Sequence, residues 1–321
     1  MRRIMQAVMM SLALMPGLLF AWQIESEIKI TTGGSWNSPA WSPRGDYFCA
    51  IDGSGRLVLF DAEGKVVKTK ESAGFENPKW SPDGAYIAAS FASKKRPLAI
   101  ISVPELGAEY KSLGVYDAAW LSDSKTIYFY HWQKRPHDVL SKIKDVTVGG
   151  GGENDYFDLI KDKNALKSFT CSPKDEKVAF IQINAGDNRC LYAADMSVTE
   201  KKSIASGLLG ENLTWSPDGK YIWTGAELVN METKEVISAG MPKTQGVRWS
   251  ADGKKLFYSK ENVKDNIIIK GELACFDFSA GKEEIINSPD FSESFASYSS
   301  DLKSCAAVDA KDGNLLLIKF K

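Results

Sequence analysis

One phrase recurs along this chain, and a fold must repeat wherever its sequence does. It reads WSPRGDY from Trp41, WSPDGAY from Trp80, WSPDGKY from Trp215 and WSADGKK from Trp249. Three looser copies start at Trp120 (WLSDSKT), Cys171 (CSPKDEK) and Tyr298 (YSSDLKS), so that seven anchors stand 34 to 51 residues apart. A period in that range belongs to propellers and solenoids. Ser-Pro-Asp-Gly suits a tight hairpin: Pro82 presets its own φ, Asp83 suits the next turn position and Gly84 accepts the left-handed conformation that follows. β-rich runs come after it, such as YIAAS (86–90), RLVLFD (56–61) and KVVKT (65–69), separated by polar turns. With the run leading into each anchor, a unit has four strands. The expected fold class is therefore all-β, a β-propeller of seven four-stranded blades; the irregular stretch between Trp120 and Cys171 leaves six or eight open.

The last unit has only three strands before the chain stops at Lys321, whereas WQIESEIKITTG (22–33) is a spare strand ahead of the first. That segment is expected to complete the last blade beside 314–320 and cover an otherwise open sheet edge. Residues 1–21 stand outside the repeats. Arg2 and Arg3, an apolar run broken by Pro16 and the small Ala21 have the pattern of a secretory signal peptide. The domain expectation is thus a signal peptide at 1–21 and one propeller at 22–321, periplasmic or extracellular, with no membrane span in the mature form. Whether the segment is cleaved or stays as an anchor is left open.

The repeat resembles the TolB-type, WD-like propeller family, whose consensus is close to W-S-P-D-G-K-x-I-A-F. That resemblance implies a propeller and little chemistry, because binding scaffolds, lyases, lactonases and peptidase gates share such rings. TolB itself carries an additional N-terminal α/β domain, and here the first repeat begins almost at once.

Composition narrows the function. Forty basic residues against 41 acidic give a net charge of −1, and loss of Arg2 and Arg3 makes the remainder more acidic, which argues against a nucleic-acid partner. Only two histidines are present, His131 and His137, and their spacing with Asp138 matches no standard zinc pattern. No G-x-S-x-G occurs, VGGGGEND (148–155) lacks the ending of a phosphate loop, and DAKDGN (309–314) suits a hairpin turn better than a calcium loop. The five cysteines have no C-x-x-C pairing; Cys49 and Cys305 sit on equivalent strands of blades that meet in a closed ring, so either a bridge or buried thiols fits them.

Candidate sites come from loop geometry. The repeated turns lie on one face of a propeller, and the loops between second and third strands lie on the other together with the crossovers between blades. Lys94, Lys95 and Arg96 in blade two match Lys134, Arg135 and nearby His137 in blade three, a basic cluster suited to an acidic partner or to a solvated rim. Near the central opening stand Glu76, Asn77, Asp117, Glu211 and Asn212, which either hydrate the channel or supply oxygen ligands to a calcium-like cation. Two functions compete: an exported, non-catalytic scaffold that binds a protein or glycan through the variable face as a monomer without cofactor, or a metal-dependent, lactonase-like hydrolase or lyase acting on a sugar-derived substrate at the central opening.

Overall fold

The structure is a computed structural model that describes residues 22–111, 114–134, 139–150, 153–156, 166–184, 186–195, 201–210, 212–238, 244–264, 267–286 and 293–321. Among these residues the secondary structure consists of strands, grouped in seven four-stranded antiparallel sheets. The repeats spell out blades one to six in order, at 37–70, 75–111, 115–156, 166–206, 214–238 and 244–286. The seventh holds Glu293–Tyr298, Ser304–Asp309 and Leu315–Phe320, with Ile24–Lys29 as its outermost strand. The count expected from the anchors is the count found.

Ring closure uses the expected pair of strands. Ile24 faces Phe320 and Lys29 faces Leu316, with one irregularity between Ile24 and Ser26. Backbone bonds continue the zip at both ends, from Ile30 N–H to the Leu315 carbonyl and from Lys321 N–H to that of Gln23, each at 3.0 Å. Trp22 caps it, meeting Phe257 edge-on at 4.9 Å and Phe320 at 5.7 Å between ring centres. Outside, the Lys29 ammonium lies 2.5 Å from Asp312 and 3.3 Å from the buried Asp309.

A blade has two apolar faces, so it needs a neighbour on each side. The buried residues accordingly fall into seven clusters, one at every seam. Phe48, Ala50, Val58 and Phe60 of blade one pack on Val308, Leu315 and Leu317 of blade seven, while Cys49, Ile51, Leu57 and Leu59 on the other face of the same blade pack on Ile87, Ala99 and Ile101 of blade two. This alternation is the period of two expected for strands covered on both faces. It also decides the cysteines: Cys49 points to the seam with blade two and Cys305 to the seam with blade six, so the two cannot meet. All five are free and buried, and burial pushes the Cys49 thiol up to about 12.

The recurring phrase is explained atom by atom. Each anchor faces the preceding blade, and the indole N–H of Trp80 and Trp120 donates to the carbonyl of the residue just before the preceding anchor, Ala40 at 2.8 Å and Lys79 at 2.9 Å. Cys171 fills the same position, its sulfur 3.7 Å from the Ala119 carbonyl. The following serine is buried. Ser81, Ser216 and Ser250 donate to the turn aspartates Asp83, Asp218 and Asp252 at 2.6 Å, and their oxygens accept the backbone N–H five residues on. Gly84 (φ 69°) occupies the left-handed position, which Ser124 and Leu302 take in the looser copies.

Two outcomes are expected. Deleting residues 22–32 uncovers the last strand of blade seven and the aromatic pocket of Trp22; aggregation on size-exclusion chromatography should follow, and a monodisperse ring of unchanged melting temperature would contradict the closure described. The second concerns acid. The hydrogen bond from Lys29, with help from the Asn314 backbone, holds the Asp312 carboxyl down at about 2. A depressed carboxylate contributes stability above its ordinary pKa, near 4, and loses it as pH falls toward the folded value. Asp312→Asn should therefore lower the melting temperature at pH 7 and shrink the difference from wild type between pH 4 and pH 2, an effect weakened by salt because both partners are partly exposed; equal differences at both ends of that range would refute it.

Candidate functional site: the variable face and the central channel

Seven inner strands line the central channel, and most carry the same irregularity. Register breaks occur between Asn37 and Ala40, Glu76 and Lys79, Val115 and Asp117, Leu166 and Ser168, Gln245 and Arg248, and Ser294 and Ser297. At the third position before the anchor the backbone turns left-handed in four blades, at Ser38 (φ 50°), Asn77 (50°), Gly246 (60°) and Phe295 (48°). A bulge bends a strand and re-aims its side chains. Here it lies where the crossover enters the channel wall.

The predicted rim residues are tied into that wall. Asp117 joins three blades: one oxygen takes the Lys79 ammonium at 2.5 Å and the Ala118 N–H at 2.9 Å, the other the Phe169 N–H at 3.1 Å. Lys79 also donates to the Ala118 carbonyl at 2.7 Å. Glu76 lies 3.6 Å from the Arg96 guanidinium. Asn77 sits in the bulge, and Asn212 donates its backbone N–H to the Thr224 carbonyl at 2.7 Å. Glu211 lies outside the described residues. Among the described residues, no three His, Cys, Asp or Glu side chains come together as a cation site.

Of the basic loops, Lys94 and Lys95 are exposed, whereas Arg96 turns inward. Its Nε donates to the Val115 carbonyl at 3.1 Å and its guanidinium covers the Tyr116 ring at 4.7 Å, a cation–π contact. Arg96 itself is left-handed (φ 41°), held by backbone bonds from Gly114 N–H to the Lys95 carbonyl (2.7 Å) and from Val115 N–H to its own carbonyl (3.0 Å). The blade-two loop is thus pinned to the entry of blade three. Lys134 ends the strand Thr126–Lys134, while Arg135 and His137 fall outside the described residues.

Strand length separates the two faces of the ring. Second and third strands have five residues each in blade one, but nine and nine in blade three, eight and eight in blade four, and ten and eleven in blade six. Pairing runs out to Lys134 with Val139, Asn184 with Asn188 and Lys264 with Ile267. At about 3.4 Å per residue, the extra three to five residues lengthen these hairpins by roughly 10–17 Å relative to that of blade one. All three rise on the variable face, since the repeated turns occupy the other. Sequence reasoning found this face from its loops but missed the hairpins, whose signal is the unbroken β-rich run through IYFYHWQK (127–134) and LFYSKENVK (256–264).

Blade five is the opposite case, with strands of two, three, four and three residues. Grooves flank it on the turn side, about 440 Å³ beside blade four, lined by Asp175, Ile204, Trp215 and Met231, and about 510 Å³ beside blade six, lined by Tyr221, Ile237, Trp249 and Phe278.

The fold is shared widely among solved structures. The chain superimposes on an oligogalacturonate lyase determined in complex with manganese (TM-score 0.70, 15% identity, covering 94% of this chain and 96% of that one). It is similarly close to the oligogalacturonate lyase of Vibrio parahaemolyticus (0.67, 15%, 93% and 96%) and to the β-propeller domain of Cps50 (Swd1) from Myceliophteria thermophila (0.66, 13%, 91% and 99%). Neither a family model nor a curated protein matches the sequence. At these identities the likeness establishes one thing: the chain is a seven-bladed β-propeller.

Proposed function

We propose that this propeller is an exported, non-catalytic scaffold whose variable face docks a protein or glycan partner. The observation that carries the reading is the difference between the two faces: three hairpins stand above one side of a rigid ring, and short, nearly uniform turns occupy the other. Raised loops on a fixed scaffold form a walled surface without cost to the core, and binding residues concentrate on such loops. Exposed Lys94 and Lys95, on a loop whose backbone is pinned at Gly114 and Val115, add positive charge in a fixed place, which favours an acidic partner and acts mainly on its association rate.

The channel rim supports a structural role in preference to cation chemistry, because Glu76 and Asp117 already satisfy Arg96 and Lys79. Export rests on the basic start, apolar run and Ala21 of residues 1–21, and kinship with TolB-type repeats on the W-S-P-D-G phrase. Among the described residues no helix is long and apolar enough to cross a membrane.

The test combines two variants. Lys94→Glu with Lys95→Glu, and separately replacement of 261–270 by a two-residue turn, should each leave the melting temperature within about 2 °C, as surface changes remote from the core do. Both should cut capture of the native partner from a periplasmic extract, and the charge variant should also flatten its salt dependence. Unchanged capture by both variants would sink the docking reading. Stoichiometric manganese or calcium in the purified protein, lost together with turnover of an acidic oligosaccharide in Glu76→Ala, would establish the lyase-type alternative instead.

A further inference from the structure

The column of residues just before the anchors reads Ala40, Lys79, Ala119, Thr170, Thr214, Arg248 and Ser297. Two are cations, and the repeat places them equivalently: each precedes its tryptophan, follows a bulge and faces the next blade. Lys79 has a carboxylate, Asp117, from the third position before the anchor of blade three. The corresponding residue for Arg248 is Phe295 of blade seven, which offers none.

The surroundings of Arg248 are closed in on the protein side. It pairs across the sheet with Phe257, which packs in the seam with blade seven. The two inner strands abut so tightly there that a Cβ on Gly246 would fall 1.7 Å from the Ala296 carbonyl oxygen. Phe295 holds a left-handed backbone, an uncommon state for an aromatic residue and one that native structures keep where something else fixes it. Arg248 is half-buried, and its guanidinium has neither a hydrogen bond nor an ion pair with another described residue. Its pKa is lowered by burial, with no anion among the described residues to offset it.

We propose that Arg248 is a carboxylate-binding site in the channel wall, where an incoming carboxylate takes the place that Asp117 fills beside Lys79. Guanidinium is suited to the role: it stays charged when partly buried and its N–H fork matches the two oxygens of a carboxylate. The carboxylate comes either from a small free acid or from an acidic side chain that a docked partner inserts. This site is separate from the hairpin face and stands whether or not that face docks a partner.

The experiment uses the intact protein and arginine modification by phenylglyoxal, mapped by peptide mass spectrometry. Succinate and a short glutamate-rich peptide are the two probes, each compared with choline chloride at equal ionic strength. At least one should slow modification of Arg248 by about tenfold, the effect of a ligand near ten times its Kd, and leave the exposed Arg44 unchanged; protection by succinate identifies a free acid, and protection by the peptide alone an inserted side chain. Phe295→Asp then restores the carboxylate that the repeat lacks, on a residue type that tolerates the left-handed backbone better. In that variant Arg248 should be shielded with nothing added. Absence of protection by both probes, equal protection by choline chloride, or a reactive Arg248 in a folded Phe295→Asp ring would overturn the proposal. Should that variant not fold, the wild-type comparison decides alone.

Discussion

Antiparallel pairing of Ile24–Lys29 with Leu315–Phe320 is the contact on which the other seams depend. A four-stranded sheet with two apolar faces cannot rest in water by itself, and adding blades only moves the exposed face along the row. A ring removes it. The burial pattern records this solution: among the described residues every hydrophobic cluster lies between two blades, and none sits at the centre of the ring. Stability is therefore shared among nearest neighbours, and the circle makes it collective, since opening any seam exposes both of the faces it covered.

Polar chemistry at the seams follows the same rule of neighbours. Trp80 reaches back to the Ala40 carbonyl and Lys79 reaches forward to Asp117, so blade two holds both adjoining inner strands through hydrogen bonds as well as packing. Blade six reaches back with Trp249 by packing alone and forward with Arg248, and Arg248 finds no carboxylate among the described residues. Departures from the repeat are thus more informative than its fulfilments. The long hairpins of blades three, four and six and the dwarf strands of blade five are further departures.

The fold was largely legible because its signals are local and repeated: Pro82, Asp83 and Gly84 write a turn whatever surrounds them, and seven copies pointed to seven blades, a count the irregular stretch after Trp120 left open until the structure showed it. Closure was legible too, from a spare strand at one end and a missing one at the other. Contacts between blades were not. Arg96 stands in an exposed-looking Lys-Lys-Arg-Pro loop, yet Tyr116 and Glu76 draw it inward, and both partners come from other strands. Cys49 and Cys305 occupy equivalent strands, and only the alternation of strand faces sends them to different seams. Arg248 was readable in principle: aligning the column before the anchors shows two cations and, two positions earlier in the following blades, a single aspartate to receive them.

The zip between the two ends of the chain also sets an order of events. Its contacts span almost the whole sequence, among the most non-local pairings a chain of this length can make, and loop closure over such a separation is slow. The aromatic pocket for Trp22 is built from Phe257 and Phe320, both far along the chain from the residue they receive. Until Leu315–Phe320 has been made, therefore, the first strand has no partner to pair with. Inner blades can stack as they emerge, but the circle stays a linear row with two bare ends until that strand is in place. Such a row remains threadable through a narrow passage in a way that a finished ring is not, so the latch that makes the product rigid also postpones rigidity to the final moment of its assembly.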